Sequence, residues 1–373
     1  MPKQQVVVVG SGVIGLTTAN KIQSTGKFNV TIVAEHTPGS LSSGDMQSTS
    51  WASPWAGAHW RAWSSNEDTV LQQIEIQTYN EMMSLAVSEP QSGISKARGT
   101  DIFEVASGMT PWYITLVEDA RELSAAELPE GISYGLEYTT LLIDVPKYLV
   151  YLKTKFEASG GTIVRRYIDH IADALRVVSN NPSGQPVNTT IVVNCTGLGS
   201  RNLAGVKDSN MHPIRGQTVV VYAPSIKHTI TRLGKQFSYV IPRGDGTVVL
   251  GGTAEDGDWN SQPVPSTTDL ILQRAIFLEP TLLPGSSAYW NTATDSKCIA
   301  ELKGCIISEN VGFRPMREGG VRLETQTCAD PVFGSNFTVV HCYGHSGYGY
   351  QTSIAFAQRV CQMVEDVANW PMG

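Results

Sequence analysis

The hydrophobic positions of the chain follow two different patterns. Continuous runs rich in β-branched residues occur at Val6–Val9, Asn29–Ala34 and Thr190–Cys195. Such runs are typical of strands buried on both faces, as in parallel sheets covered by helices. From Gln217 to Gly252, short strands are instead joined by tight turns such as Gly244–Gly246, which is typical of antiparallel sheet. The chain therefore combines a parallel α/β part with an antiparallel part.

These two patterns alternate along the chain, so the two parts are interleaved. Helices are predicted after the first strand, before the second parallel unit and at the end of the chain, at 16–24, 147–158 and 351–368. Further helices are predicted at 66–87 and 267–278. The parallel part is assigned to 1–60, 145–216 and 310–373, and the antiparallel part to 61–144 and 217–309.

A glycine motif directly follows the first strand. Gly10, Gly12 and Gly15 are spaced as G-x-G-x-x-G, and a helical segment comes next. We expect Gly10 to permit the tight turn, Gly12 to let the backbone approach a diphosphate, and Gly15 to let helix and strand pack closely. A second strand ends at Glu35, the spacing at which an acid binds a ribose hydroxyl. The motif predicts a dinucleotide site without choosing between FAD and NAD.

Composition excludes several classes of protein. The 373 residues carry a net charge of −7, whereas nucleic-acid binding requires a basic surface. No apolar run is long enough to span a bilayer. The six cysteines show no metal-ligand spacing, so we expect reduced thiols and no metal. Whether Cys298 and Cys305 are bonded stays open.

Four further stretches carry glycine-rich or basic motifs, namely Val7–Leu16, Asn194–Gly199 with His212–Gln217, Gly312–Arg317, and His341–Gly349. Taken in order, they resemble the D-amino-acid oxidase family, which includes the D-aspartate oxidases. The segment Ala52-Ser53-Pro54-Trp55-Ala56-Gly57-Ala58 resembles its fungal branch. The resemblance extends over nearly the whole chain and implies a Rossmann-type FAD-binding domain interleaved with a mostly antiparallel α+β substrate domain.

The resemblance implies FAD as the cofactor and supplies a set of residues to hold it. They come from the glycine turn, the end of the second strand, the loop after it, the second glycine turn and the closing loop. The implied cofactor residues are Gly10, Gly12, Ile14, Gly15, Glu35, Ser43, Ala56, Gly57, Thr196, Gly199, Arg314, Ser346, Gly347, Tyr348, Gly349, Tyr350 and Gln351.

The resemblance also implies the chemistry. Arg314 binds the substrate α-carboxylate with two parallel N–H donors, and Tyr239 contacts the same carboxylate. The Gly347 carbonyl accepts a hydrogen bond from the substrate amine. The α-hydrogen of a D-amino acid leaves as hydride to flavin N5, so catalysis depends on alignment and needs no general base. Dioxygen reoxidises the flavin, and the products are a 2-oxo acid, ammonia and hydrogen peroxide.

The substrate side chain is harder to predict. Ala254 stands where fungal D-amino-acid oxidases commonly have a second tyrosine, which removes a phenol and opens space. His59 and Arg243 could bind a second carboxylate, and alternation places Arg243 on the same strand face as Tyr239. We therefore expect acidic substrates, D-aspartate first and then D-glutamate. Oxidation of neutral D-amino acids is the first alternative, and a non-catalytic flavin- or nucleotide-binding protein is the second.

Localisation and assembly follow only from the resemblance. Family members are usually peroxisomal and carry a C-terminal targeting tripeptide, whereas this sequence ends in Trp370-Pro371-Met372-Gly373. The expectation is a peroxisomal protein if a targeting tail is missing, and a cytoplasmic one otherwise. The family also implies a homo-oligomer.

Overall fold

The computed structural model of the protein describes residues 3–39, 51–105, 110–178, 190–283 and 296–369. Two compact units are interleaved along the chain. The first unit comprises Met1–Pro54, Pro146–Ile214 and Phe313–Gly373, and the second comprises Trp55–Val145 and Arg215–Gly312. The described helices are α1 (Val13–Ser24), α2 (Thr69–Ser88), α3 (Val145–Ala158), α4 (Asp173–Val177), α5 (Pro265–Leu278), α6 (Ser296–Lys303) and α7 (Gly349–Asn369).

The first unit is built on a mostly parallel sheet, as the β-branched runs predicted. Across the sheet the described strands follow the order β14-β15-β7-β1-β2-β6, and only β14 runs antiparallel to its neighbour. Long-range connections therefore bring β7 beside β1, and β15 beside β7. These strands are β1 (Gln4–Val9), β2 (Phe28–Ala34), β6 (Thr162–Arg165), β7 (Ile191–Asn194), β14 (Arg322–Ala329) and β15 (Asn336–Tyr343).

The second sheet is mostly antiparallel, which confirms the other half of the predicted fold class. Its described strands follow the order β12-β8-β11-β10-β9-β3-β5-β4, and β13 also pairs with β8. Along the described strands from β8 to β4, the pair β3–β9 is parallel and the other neighbours are antiparallel. The strands are β3 (Ile94–Phe103), β4 (Arg121–Glu122), β5 (Tyr134–Ile143), β8 (Met211–Tyr222), β9 (Thr229–Leu233), β10 (Ser238–Pro242), β11 (Thr247–Gly251), β12 (Glu255–Asp256) and β13 (Ile306–Arg317).

Strict alternation gives the central strands of this second sheet two different faces. Val240, Val248 and Leu250 pack into one large core together with Ile271 and Leu272 of α5. The residues between them point the other way and form a smaller cluster of Leu142, Val220, Tyr239, Ile241 and Val249. Because successive side chains of a strand point to opposite faces, α5 covers one face and leaves Tyr239 on the other.

Several elements differ from the sequence prediction. The Gly312–Arg317 motif lies within strand β13, so Arg314 is inside a strand. The short strand β9 and helices α4 and α6 were not predicted. Cys298 and Cys305 both lie in the described part and are not joined by a disulfide. Within the described ranges, no helix is long and apolar enough to cross a bilayer.

Candidate functional site

The glycine turn after β1 has the geometry that the motif predicts. Gly10 adopts a φ of +107°, and a Cβ there would lie 2.5 Å from the carbonyl oxygen of Cys195. A Cβ on Gly15 would lie 2.0 Å from the Gly10 carbonyl oxygen, so helix and strand approach as closely as expected. Gly12 is the N-cap residue of α1, and the Ser53 hydroxyl lies against it and accepts a hydrogen bond of 3.0 Å from Val13 N.

Glu35 lies beside this turn at the end of β2. The Gly10 amide donates to the Val33 carbonyl at 2.9 Å, and the Ser11 hydroxyl donates to the His36 carbonyl. The Glu35 carboxylate is half exposed and lies 3.6 Å from His36 Nε2. These bonds fix the acid next to the N-terminus of α1, where the spacing argument places a ribose.

The second glycine turn, Thr196–Gly199, is held by a buried side-chain network that the sequence did not reveal. Asn194 Oδ1 accepts hydrogen bonds from Thr196 N at 3.1 Å and from Thr196 Oγ1 at 2.8 Å. Asn194 Nδ2 lies 3.2 Å from His341 Nδ1, and His341 Nε2 lies 3.0 Å from Gln326 Oε1. The turn is thus oriented by residues of β7, β14 and β15.

The protonation state of His341 fixes the direction of these bonds. Burial, aided by the charge of Arg322, lowers the pKa of His341 to about 4, so the ring is neutral at neutral pH. Asn194 Nδ2 can only donate, so His341 Nδ1 accepts and Nε2–H donates to Gln326. That assignment leaves Asn194 Oδ1 as the acceptor for the Thr196 turn.

The closing loop brings several predicted residues to the first turn of α1. A Cβ on Gly349 would lie 3.9 Å from Val13 Cγ1 and 4.0 Å from Ile14 Cδ1. A Cβ on Gly347 would lie 3.2 Å from Arg314 Cδ, so the Arg314 side chain lies along this loop. The order of the chain alone could not show this proximity.

Backbone and side-chain bonds hold the same loop in place. Ser346 has a φ of +45°, and its amide donates to the Pro315 carbonyl at 3.0 Å. The Tyr350 hydroxyl donates to the Ser53 carbonyl at 2.9 Å. Tyr348 and Gln351 are buried, and Ser43 lies outside the described residues.

The first unit therefore fits the ADP half of a dinucleotide. The first turn of α1 presents backbone N–H groups and contains no acidic residue, as an anion requires. Within the described part of the chain, the buried indole Nε1 of Trp51 has no hydrogen-bond partner, and it lies 4.0 Å from the position of a Cβ on Gly12. An unpaired donor beside a helix N-terminus matches a bound phosphate oxygen.

In the second unit, Tyr239 lies across a pair of glycines. Tyr239 on β10 is directly opposite Gly251 on β11. A Cβ on Gly251 would lie 2.2 Å from Tyr239 Cζ, and one on Gly252 would lie 2.7 Å from the Tyr239 hydroxyl. The two glycines thus allow the ring to lie flat over the next strand. Ala254, three residues after Gly251, is exposed.

A polar row continues across the same face of the sheet. Thr231 on β9 is opposite Tyr239, and its hydroxyl lies 3.4 Å from His59 Nε2. On the next strand Asp101 is opposite Thr231, fully buried, and accepts hydrogen bonds from the hydroxyls of Tyr113 at 2.8 Å and Tyr138 at 3.2 Å. Strand register, rather than any local motif, assembles this row.

Arg61 is the cation associated with this row. Burial raises the pKa of Asp101, and the Arg61 charge opposes that rise. Burial and the same charge lower the pKa of His59 to about 3, so the imidazole is neutral. Sequence reasoning found His59 and missed Arg61, Asp101 and Thr231.

Arg243 lies on the predicted face, and its guanidinium contacts a loop. Arg243 Nη2 donates to the Ala56 carbonyl at 3.1 Å, and Nε donates to the Gly57 carbonyl at 3.3 Å. A Cβ on Gly57 would lie 2.6 Å from Ile241 Cδ1, so the loop packs directly on β10. Arg243 thereby holds the loop that leads to His59.

Comparison with known proteins agrees with these geometries. The family model described as FAD dependent oxidoreductase (DAO) matches residues 5–363. A D-amino-acid oxidase of Fusarium vanettenii is 33% identical over 383 residues, covering 97% of each chain. A D-aspartate oxidase of Talaromyces thermophilus is 29% identical, covering 96% of this chain and 95% of that relative.

A solved structure shares the fold. Glycine oxidase from Bacillus cereus ATCC 14579 superimposes with a TM-score of 0.70 at 20% identity, covering 98% of this chain and 96% of that one. The match over nearly the whole chain confirms the predicted family and the predicted cofactor. The protein belongs to the FAD dependent oxidoreductase (DAO) family, and its cofactor is FAD.

Proposed function

We propose that the protein oxidises D-amino acids to 2-oxo acids, with release of ammonia and hydrogen peroxide. The observation that carries this proposal is the position of Arg314. Its side chain lies along Gly347, in the loop that packs against Val13 and Ile14 at the start of the cofactor helix. A guanidinium there can fix a carboxylate in both position and orientation.

When bound, FAD supplies the hydride acceptor and passes the electrons to dioxygen. The residues of the chain bind and orient the substrate. Arg314 binds the α-carboxylate, and the Gly347 carbonyl accepts a hydrogen bond from the neutral amine. A carboxylate contact of Tyr239 stays a prediction from the family resemblance. Alignment of the Cα–H bond is the main contribution of the protein, since the chemistry needs no general base.

For the side chain we propose an acidic preference, D-aspartate before D-glutamate. His59 lies on the same sheet face as Tyr239, since Thr231 neighbours both. The positive charge of Arg61 acts on His59. A neutral imidazole that can donate, together with a nearby guanidinium, suits a second carboxylate. The D-aspartate oxidase relative supports the same proposal.

Other observations favour neutral D-amino acids as the alternative. The Arg243 guanidinium donates to the carbonyls of Ala56 and Gly57, which gives this residue a structural role. The Arg61 charge also acts on the buried Asp101 carboxylate. The D-amino-acid oxidase relative supports this alternative.

A panel of substrates, with hydrogen peroxide as the readout, tests both the proposed oxidase activity and the proposed preference for acidic side chains. We expect peroxide from D-amino acids and none from L-aspartate. Absence of peroxide with every D-amino acid, from protein that holds FAD, would overturn the proposed activity. D-asparagine is the matched probe for D-aspartate, because the two differ by one charge at nearly constant shape.

Variants separate the two substrate classes. An acidic preference predicts that Arg61→Gln lowers kcat/KM for D-aspartate about tenfold and leaves that for D-asparagine nearly unchanged. Arg243→Gln is the control. We expect it to lower the thermal stability of the protein and to lower kcat/KM for all substrates by the same factor. A wild-type enzyme that prefers D-alanine or D-asparagine to D-aspartate would rule out the acidic preference and keep the oxidase.

A further inference from the structure

Trp51 carries a buried polar group without a partner. The side chain is 8% exposed, and among the described residues its Nε1–H has no hydrogen-bond acceptor. An indole nitrogen can only donate, and a buried donor without a partner destabilises the folded protein. Such a group in a folded protein calls for an acceptor that binds there.

The surroundings of Trp51 indicate where that acceptor lies. Nε1 is 4.0 Å from the Cβ position of Gly12, the N-cap residue of α1. The ring stacks on His36 with centroids 5.9 Å apart and planes 13° apart, which fixes its orientation. His36 directly follows Glu35, so the indole lies between the acid at the end of β2 and the first turn of the helix.

We propose that Trp51 Nε1–H donates a hydrogen bond to the diphosphate of FAD. The first turn of α1 favours an anion because the N-terminus of a helix carries partial positive charge and no acidic side chain lies in that turn. A phosphate oxygen at this turn lies within reach of the indole N–H. Trp51 thereby adds a side-chain donor to a site otherwise formed by backbone groups.

The first test is Trp51→Phe, which keeps an aromatic ring on His36 and removes only the N–H donor. FAD release is measured by dilution of the holoenzyme and recovery of flavin fluorescence. A hydrogen bond to a charged group predicts a tenfold to hundredfold weaker affinity for FAD, on the order of what such bonds contribute. Trp259→Phe is the control, since Trp259 is half exposed and lies in the second unit.

Displacement of FAD from the holoenzyme by fragments locates the acceptor. In Trp51→Phe, the affinity for ADP should fall by the same factor as that for FAD, and the affinity for adenosine should not change. An unchanged FAD affinity would overturn the proposal. Equal losses for ADP and adenosine would also overturn it, because they would place the acceptor on the nucleoside.

A second measurement does not depend on the variant. Hydrogen exchange of the Trp51 indole N–H in the wild-type protein should be slower with ADP bound than with adenosine bound. Equal exchange rates in the two complexes would contradict the proposal even if Trp51→Phe failed to fold.

Discussion

The glycine turn of the first unit and the Tyr239 face of the second sheet are built in different ways. Around α1, backbone atoms form the turn, and Gly10 and Gly15 allow it because they carry no side chain. On the second sheet, the side chains of Tyr239, Thr231 and Asp101 lie on adjacent strands and are aligned by register. We therefore expect cofactor binding to be a property of the fold, and the proposed substrate recognition to be a property of individual residues.

This difference predicts unequal tolerance to change. A site formed by backbone groups can bind its ligand as long as the turn forms, so a mutation abolishes binding there only when it disrupts the packing of the turn. A side-chain face can change specificity by one substitution while the sheet persists. Mutations in the first region should therefore act on stability and FAD affinity, and those in the second on kcat and KM.

Arg314 offers the strongest test, because it is a side-chain group within the cofactor unit. Arg314→Ala should lower kcat/KM for D-amino acids about a thousandfold, since a charged carboxylate would lose its paired cation. The flavin absorbance spectrum should persist. Arg314→Lys, which keeps the charge and loses the two parallel donors, should recover only part of the rate. Loss of FAD from both variants would assign Arg314 to the cofactor instead.

The network behind the Thr196 turn gives a pH prediction. The pKa of His341 is about 4 in the folded protein and 6.5 in a free histidine, so the unfolded chain binds the extra proton first as pH falls. The free energy of unfolding should be constant above pH 6.5 and fall between pH 6.5 and about 4, by about 3 kcal/mol in total for this residue.

His341→Gln removes that titration while it keeps polar atoms in place. Denaturant unfolding of wild type and variant across pH 4–7 gives the two slopes, and the variant should show the shallower one. Parallel slopes would mean that His341 is protonated in the folded protein or remains neutral in the unfolded one. FAD binding by the folded wild type should weaken only near and below pH 4, where Nδ1 becomes protonated and no longer accepts from Asn194.

A substitution at Gly251 tests whether the position of the Tyr239 ring matters for catalysis. A Cβ in Gly251→Ala would meet the Tyr239 ring at 2.2 Å, so the ring must move by about an ångström. Displacement of that size should lower kcat/KM about a hundredfold while FAD remains bound. Gly244→Ala is the matched control, since its Cβ would meet only Asp144 at 3.6 Å. Normal kinetics in Gly251→Ala would show that the position of Tyr239 is not critical.

The sequence predicted the cofactor region more completely than the substrate region, and the reason is physical. The glycine turn and Glu35 lie within one β-α-β unit. Because such a unit has a fixed geometry, their separation along the chain determines their distance in the fold. Alternation predicts Arg243 on the face of Tyr239, since a strand has a fixed period. Its contacts with Ala56 and Gly57 depend on where a distant loop packs, which no local pattern encodes.

The residues that sequence reasoning missed are polar residues of strands, and their partners lie on other strands far away in the sequence. Thr231 belongs to β9, a strand of five residues that was not predicted, and without that strand the register from Tyr239 to Asp101 is invisible. Asn194 stands at the start of a glycine motif in the sequence, and its hydrogen-bond partner His341 lies 147 positions away. A search for polar residues within otherwise apolar strands would have found Asn194, His341 and Asp101.

The strand order of the first unit has a consequence for synthesis of the protein. β1 is made first, whereas β14, β15 and α7 are made last and complete the same sheet and the loop against α1. At the ribosomal rate of about 5–20 residues per second, the nascent chain carries its glycine turn for many seconds without those partners. The complete surroundings of α1 therefore form only after β15 and α7 have been synthesised, and we expect FAD to load after that point.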